Sequence, residues 1–411
     1  MTAPWEHRHP EGWRTAPLST VVRETRARNK GLIEKNLLSL SYGSIVRRDI
    51  GSADGLVPAS YETYQIVKPG QVVLRMTDLQ NDMRSLRSGA VAERGIITSA
   101  YIAIEPVGVT PAYLAWLLRG YDHMKVFYSF GGGVRQSLTF ADLKRLPTVL
   151  PPEGTQRRIA DYLDRETATI DALIEKQRQL IEGLRERGDA SWRKLYDSVL
   201  KTVRPLPLRR HVQSISDGPF GSALTSAHYA ASGVRVIRLG NIGPGVFKLG
   251  DEAFISHEYG EKLKRYAVSP GDLIMAGLGD SNVSLGRTAE VPEGLGPAIN
   301  KADCFRLRLH AGVNSRYMVV ALNAPQTREL VLQLAQGSTR QRMNTSVAAR
   351  LPVAVPDSRR QAQIVEQWEG ETAKIDALIA KAERFIELAQ ERRAALITAA
   401  VTGQIEIPTE D

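Results

Sequence analysis

Arginine, asparagine and glutamine concentrate in a few polar, glycine-punctuated stretches of this sequence. One runs from Thr77 to Gly89 and holds Gln80, Asn81, Arg84 and Arg87. A second, Gly279 to Arg287, holds Ser281, Asn282 and Arg287 and stands in the same place after a Pro-Gly pair. Arg238 and Asn241 lie in the run Arg235-Val236-Ile237-Arg238-Leu239-Gly240-Asn241-Ile242. Forked side chains of these types match the edges of guanine and adenine in the major groove; for any single residue, a solvated loop is the alternative. Two more stretches put glycine beside an Arg-Gln pair: Gly131 to Gln136, with Arg135 and Gln136, and Gly337 to Gln341, with Arg340 and Gln341. Such a loop either meets a phosphate through backbone N–H and guanidinium or is a turn whose arginine anchors one domain to the next helix. Arg23 to Lys30 and Arg47-Arg48 suit phosphates or a solvated surface equally.

The charge balance agrees with a polyanionic partner. There are 54 Lys and Arg against 45 Asp and Glu, a formal net charge of +9. Such an excess favours encounter with a polyanion more than it shapes a fold. Bond-making chemistry is not legible. No GxxxxGK[ST] loop occurs. Leu150-Pro151-Pro152-Glu153 lacks the Asp or Asn and the aromatic of an amino-methyltransferase motif, and helix initiation explains it better. The seven histidines show no metal-ligand spacing. Asp357 and Glu371 fail as a nuclease pair, because Pro152 stands for Asp357 in the equivalent segment. The sequence therefore predicts no catalytic residue, no metal and no cofactor in this chain. One cysteine, Cys304, excludes an internal disulfide and fits a cytoplasmic location. Met1 to Pro10 has no apolar core of a signal peptide, and no apolar run reaches membrane-spanning length.

The elements that must position these loops are set by an internal repeat. Glu166-Thr167-Ala168-Thr169-Ile170-Asp171-Ala172-Leu173-Ile174-Glu175-Lys176 matches Glu371-Thr372-Ala373-Lys374-Ile375-Asp376-Ala377-Leu378-Ile379-Ala380-Lys381 at nine of eleven positions. The match runs without a gap from Gly132–Arg187 to Gly337–Arg392. It includes Arg145-Leu146-Pro147 against Arg350-Leu351-Pro352 and Gln156 against Gln361. Upstream it weakens: Val67-Lys68-Pro69-Gly70 resembles Val268-Ser269-Pro270-Gly271.

Each preserved segment reads as a helix of some 45 proline-free residues, about 65 Å long at 1.5 Å per residue. Asp357 or Ser358 is a credible cap for the second, and Gly403 a stop. Leu163, Ile170, Ile174 and Ile181 lie on a heptad-like seam in the first copy; Trp368, Ile375, Ile379 and Ile386 do so in the second. Leu173, Leu180, Leu378, Phe385 and Leu388 are expected to widen the stripe. The two helices are expected to pair as an antiparallel coiled coil; separate packing of each on its own domain is the alternative. The fronts read as mixed α/β (α+β). Strand-like runs occur at 71–74, 96–98, 101–104, 234–239 and 273–275, with short helices beginning at Thr110-Pro111 and near Asn314. The expected division is 1–152 and 204–356 for the globular domains, with 153–203 and 357–411 for the long helices and tail.

Two divergent fronts alternating with two near-identical helices resemble the specificity subunit of type I restriction-modification systems along essentially the whole chain. Asp217-Gly218-Pro219-Phe220-Gly221-Ser222 carries the resemblance in the second front; the first lacks it and looks like another subtype. The resemblance implies that each front is a target recognition domain reading half of a split site on double-stranded DNA. Because the fronts differ, the site is expected to be asymmetric. It implies that the helix pair sets the spacing. Its implied partners are two modification subunits that bind S-adenosylmethionine and methylate adenine, and a restriction subunit that uses ATP and Mg. A methylation-only or other phage-defence assembly is the runner-up. A self-contained nuclease or methyltransferase, and a helical scaffold that does not touch DNA, are the alternatives of other classes.

Overall fold

The computed structural model describes residues 4–6, 9–50, 60–82, 85–129, 137–280, 283–335 and 341–408. They form two compact units. The first comprises Met1–Arg178 with Glu383–Asp411, the second Gln179–Ala382. Each unit therefore takes one front together with part of both long helices.

In the first unit, strands Val22–Thr25, Ile102–Pro106, Val72–Leu74 and Ser88–Ala90 form an antiparallel sheet in that order. A second sheet orders Ser44–Arg48, Leu37–Ser41, Gly95–Ile97 and Gln65–Val67, with the middle two parallel. The second unit repeats the frame. Val212–Ser216, Cys304–Leu309, Leu273–Ala276 and Thr288–Glu290 form the antiparallel sheet. Val234–Ile237 lies parallel to Ala298–Asn300 in the other. The two units differ in what flanks that parallel pair. The first uses a tight hairpin, Leu37–Arg48, whose turn residues Tyr42 and Gly43 both have positive φ (44° and 82°), as a two-residue turn requires. The second uses Phe254–Ile255 and Tyr229–Ala230, which arrive through longer connections. All five strand expectations fall on strands.

The long helices are Glu153–Leu200 and Ser358–Val401. Asp357 caps the second by accepting from the Arg360 N–H at 3.0 Å. Gly403, at φ +70°, ends it, with Gly403 and Gln404 N–H groups donating to the carbonyls of Ala400 and Ala399; this is the Schellman arrangement. Pairing is antiparallel within each unit. In the first, Asp171 meets Arg393 at 2.9 Å and Leu163 shares a core with Ile397 and Ala400. In the second, Ser191 donates to Glu371, and the rings of Trp192 and Trp368 lie 5.3 Å apart. Leu163, Ile170, Ile174 and Ile181 are buried; Trp368, Ile375, Ile379 and Ile386 are half-buried. Leu173, Leu180, Leu378, Phe385 and Leu388 are instead exposed. The buried seam needs only the alternating steps of four and three, which these five positions stand off.

The helices also pack on the fronts. In the first unit, Trp116 of helix Pro111–His123 donates to Asp164 of the long helix at 2.9 Å, and Tyr113 donates to Val149 O, just before that helix, at 2.9 Å. In the second, the equivalent Tyr317 of helix Ser315–Asn323 donates to Ala354 O, and Trp192 donates to Val320 O at 3.0 Å. A buried glutamine joins each front helix to its long helix. Gln156 accepts from Thr110 N–H at 2.9 Å and donates to Pro151 O at 2.9 Å. Gln361 accepts from Asn314 N–H at 2.8 Å and donates to Pro356 O at 2.8 Å. Replacing either glutamine by leucine removes the side-chain partner of two backbone groups, of which the Pro151 carbonyl is buried and the others partly so, at a cost of about 1–3 kcal/mol for a buried group and less where water reaches. Chemical denaturation of Gln156→Leu and Gln361→Leu is expected to show losses of this size; a change within experimental error would remove the glutamines from the frame.

Candidate nucleic-acid interface

The two polar loops that follow the Pro-Gly pairs bridge adjacent strands in each unit. In the first, the loop after Val72–Leu74 returns as Ser88–Ala90; in the second, the loop after Leu273–Ala276 returns as Thr288–Glu290. The segment following each Gly-Arg-Gln stretch lies against the same loop. Leu138 N–H donates to Met76 O at 2.8 Å, and its counterpart Met343 N–H donates to Gly277 O at 2.9 Å. Gln341–Arg342 extends the second contact by pairing with Leu278–Gly279. In the second unit Gln341 is thus a neighbour of the loop, while 131–136 of the first unit lies outside the described residues.

Not every forked side chain in these loops faces outward. Arg87 is fully buried. Its guanidinium donates to the carbonyls of Thr77 at 3.0 Å, Asp78 at 3.3 Å and Asp82, and to the Tyr128 hydroxyl at 3.2 Å. Arg287, 4% exposed, does the same in the second unit. It donates to Leu278 O at 3.1 Å, Ser284 O at 2.9 Å, Ile242 O at 2.7 Å and Leu239 O at 3.0 Å. Asn241 is also fully buried. It accepts from Arg238 N–H at 2.8 Å and donates to Lys248 O at 2.9 Å and Asp251 O at 2.8 Å. These three residues, expected from the sequence to contact DNA, are built into the loops. A buried carbonyl without a donor costs about 1–3 kcal/mol, so a side chain already satisfying several carbonyls is not available to a ligand. Arg238 is half-buried and ion-paired with Asp251.

Gln80 and Asn81 are exposed at the tip of the first loop, with Asn81 donating to Asp78 at 2.6 Å. Gln341 is half-buried at the edge of the second. Arg84, Arg135, Gln136, Ser281, Asn282 and Arg340 lie outside the described residues. Cations that sequence reasoning passed over stand nearby in the second unit. Lys248 is exposed beside the 238–242 turn, and Arg342, 58% exposed, pairs with Asp303 at 2.9 Å. Asp217 Oδ1 accepts from Gly218 N–H at 2.7 Å and Asp303 N–H at 2.8 Å, and burial pushes its carboxyl up to about 6. A Cβ on Gly218 would lie 2.3 Å from the Asn300 carbonyl oxygen, so only glycine fits there. Phe220 is left exposed. Among the described residues, no three His, Cys, Asp or Glu side chains gather as a metal site. Nor is any helix long and apolar enough to cross a membrane.

A helix-borne side chain secures each loop from beneath. Asp122, fully buried, accepts from the N–H groups of Arg87 and Ser88. Asn323, one helical turn nearer its helix start, accepts from Thr288 N–H at 2.9 Å and donates to Thr288 O at 2.8 Å, as Arg119 donates to Ser88 O at 2.6 Å in the first unit. Desolvation by burial raises the Asp122 carboxyl to about 6, despite the opposing Arg87 N–H and the Arg119 charge. A pKa raised on folding gives stability that is full below the unfolded value and is lost as pH rises through the folded one. Asp122→Asn, which keeps an acceptor for the two N–H groups but cannot ionise, removes that loss. The variant is expected to gain on the order of 2–3 kcal/mol relative to the parent between pH 4 and 7, read from paired thermal denaturations. Parallel curves across that range would contradict it.

No protein-family model and no curated protein sequence matches the chain. Solved structures do. A chain from a structure of the type I R-M system, concerned with its complex assembly and conformational transition, is 14% identical. It covers 97% of this chain and 100% of its own length, with a TM-score of 0.66. The HsdS subunit from Thermoanaerobacter tengcongensis is 15% identical over 97% of this chain and 99% of its own, at 0.46. The type I restriction-modification S subunit from M. genitalium is 12% identical over 100% of both, at 0.37. On the first of these likenesses, this chain has the fold of a protein of the type I restriction-modification system over nearly its full length.

Proposed function

We propose that this chain is the DNA-reading, non-catalytic specificity subunit of a type I restriction-modification complex. The observation that carries this reading is a loop frame present in both units with different exposed side chains: Gln80 and Asn81 in one, Asp280 and Val283 in the other. Equal frames with unequal tips suit two readers of unequal half-sites. The paired long helices then serve as the spacer between the half-sites, since a helical rod fixes separation by its length. The net charge of +9 supports the polyanionic partner.

In this reading two modification subunits supply S-adenosylmethionine and methylate adenine at sites this chain selects. A restriction subunit supplies the ATP- and Mg-dependent step. The chain's own contribution is recognition: arginine, asparagine and glutamine presented to base edges, with further cations on phosphates.

Methylation sequencing of host DNA with and without the gene tests the reading. Loss of one adenine-methylated motif with two different halves and a fixed gap is expected; retention of every such motif would refute it. The purified complex with its methyltransferase partner should bind DNA with an affinity that falls steeply as salt rises. The isolated chain, given DNA, metal and S-adenosylmethionine, should turn over nothing.

A further inference from the structure

We propose that Arg87 and Arg287 are positioning residues for sequence discrimination, each fixing the reading surface of its own unit and not the other's. The inference rests on the specificity-subunit reading above and goes beyond it by naming what sets the shape of the readers.

The two arginines are equivalent by structure. Arg75 N–H donates to Arg87 O at 2.8 Å, and Ala276 N–H donates to Arg287 O at 2.9 Å. Arg87 bonds Thr77 O and Arg287 bonds Leu278 O, which occupy matching places at the start of each loop. The fronts have diverged almost everywhere around them, yet both keep a buried guanidinium under the loop. Among the described residues, every hydrogen bond of the Arg287 guanidinium goes to a backbone carbonyl. A buried cation is costly unless its donors are satisfied, and a core demanding only volume is served by an aliphatic residue. What the guanidinium supplies is several donors in one plane, aimed at carbonyls from different parts of the chain.

In the second unit those carbonyls come from two segments. Leu239 and Ile242 belong to the turn after strand Val234–Ile237, and Leu278 and Ser284 to the long loop. The two segments wall a groove of about 360 Å³ whose rim carries Gly240, Lys248, Asp280 and Val283. Arg287 lines this groove and bonds carbonyls of both walls, so it is one tie that sets their separation. In the first unit Arg87 closes the loop 77–82 on itself and onto Tyr128. Lysine in either place keeps the charge but has one nitrogen for carbonyls that point from several directions.

The test uses the complex of this chain with its methyltransferase partner and DNA duplexes with single base changes in one half-site or the other. Arg287→Lys is expected to reduce discrimination between the parent second half-site and its single-base variants by at least about tenfold, leaving discrimination in the first half-site unchanged. Arg87→Lys should do the reverse. A merely structural defect, for which the core substitution Val331→Ala is the control, lowers the amount of active complex and weakens binding to all duplexes alike. Proportional loss on every duplex, or unaltered discrimination in both variants, would overturn the proposal. If Arg287→Lys does not assemble, Arg87→Lys carries the test on the first half-site. A parent complex that reads no split site would instead refute the underlying reading, so the two failures are distinguishable.

Discussion

A loop that must expose polar side chains still has to bury part of its own backbone. The carbonyls on its inner side lose water and need donors, and the core beneath, made of leucine, valine and phenylalanine, has none to offer. The buried arginine resolves this in both units. One guanidinium satisfies several carbonyls at once and leaves its aliphatic stem in the core. Leu79 and Leu285, both buried, anchor the same loops on their apolar side. Only with its inner side held this way is the outer tip free to vary without loosening the fold.

The repeat is accordingly one of frame. Tyr113 and Tyr317, and Gln156 and Gln361, make the same bonds in the two units, and Arg87 and Arg287 share the bond to the start of the loop. The partners around the parallel strand pair differ: a tight hairpin in one unit, longer connections in the other. The bonds preserved between units satisfy backbone groups that any sequence would expose at those bends.

The long helices were legible because their seam repeats with a helical period over many turns, and Asp357 and Gly403 mark the second with chemistry specific to helix ends. Leu173 and Phe385 are apolar yet exposed, because hydrophobicity alone does not carry the strict heptad phase that the pairing obeys. The interface was only partly legible. Arginine and asparagine are chosen for a base edge and for a buried carbonyl by the same property, forked donors, so composition does not separate the uses. A usable signal was nonetheless present. Arg87 and Arg287 each precede a hydroxyl residue, Ser88 or Thr288, at nearly the same distance after a Pro-Gly pair. On the proposed reading, in which the two fronts read different half-sites, a residue shared between them belongs to the frame, and the readers are to be sought among residues that differ.

That criterion also separates Asp122 from Asn323. Both lie on a front helix, about one turn apart in position, and hold the returning strand, but one carries a titratable carboxyl and the other does not. Asn323 closes two bonds with Thr288, as donor and acceptor, whereas a carboxylate can only accept. The Asp122 carboxyl instead receives two adjacent backbone N–H groups, including that of Arg87 itself. The first unit thus couples its helix to the arginine residue's own backbone, while the second couples it to the neighbouring threonine and leaves Arg287 to bridge two segments. Two local solutions to one backbone problem thus hold equivalent returning strands through different groups, and on the proposed reading that difference sets the two loops apart before any exposed side chain is considered.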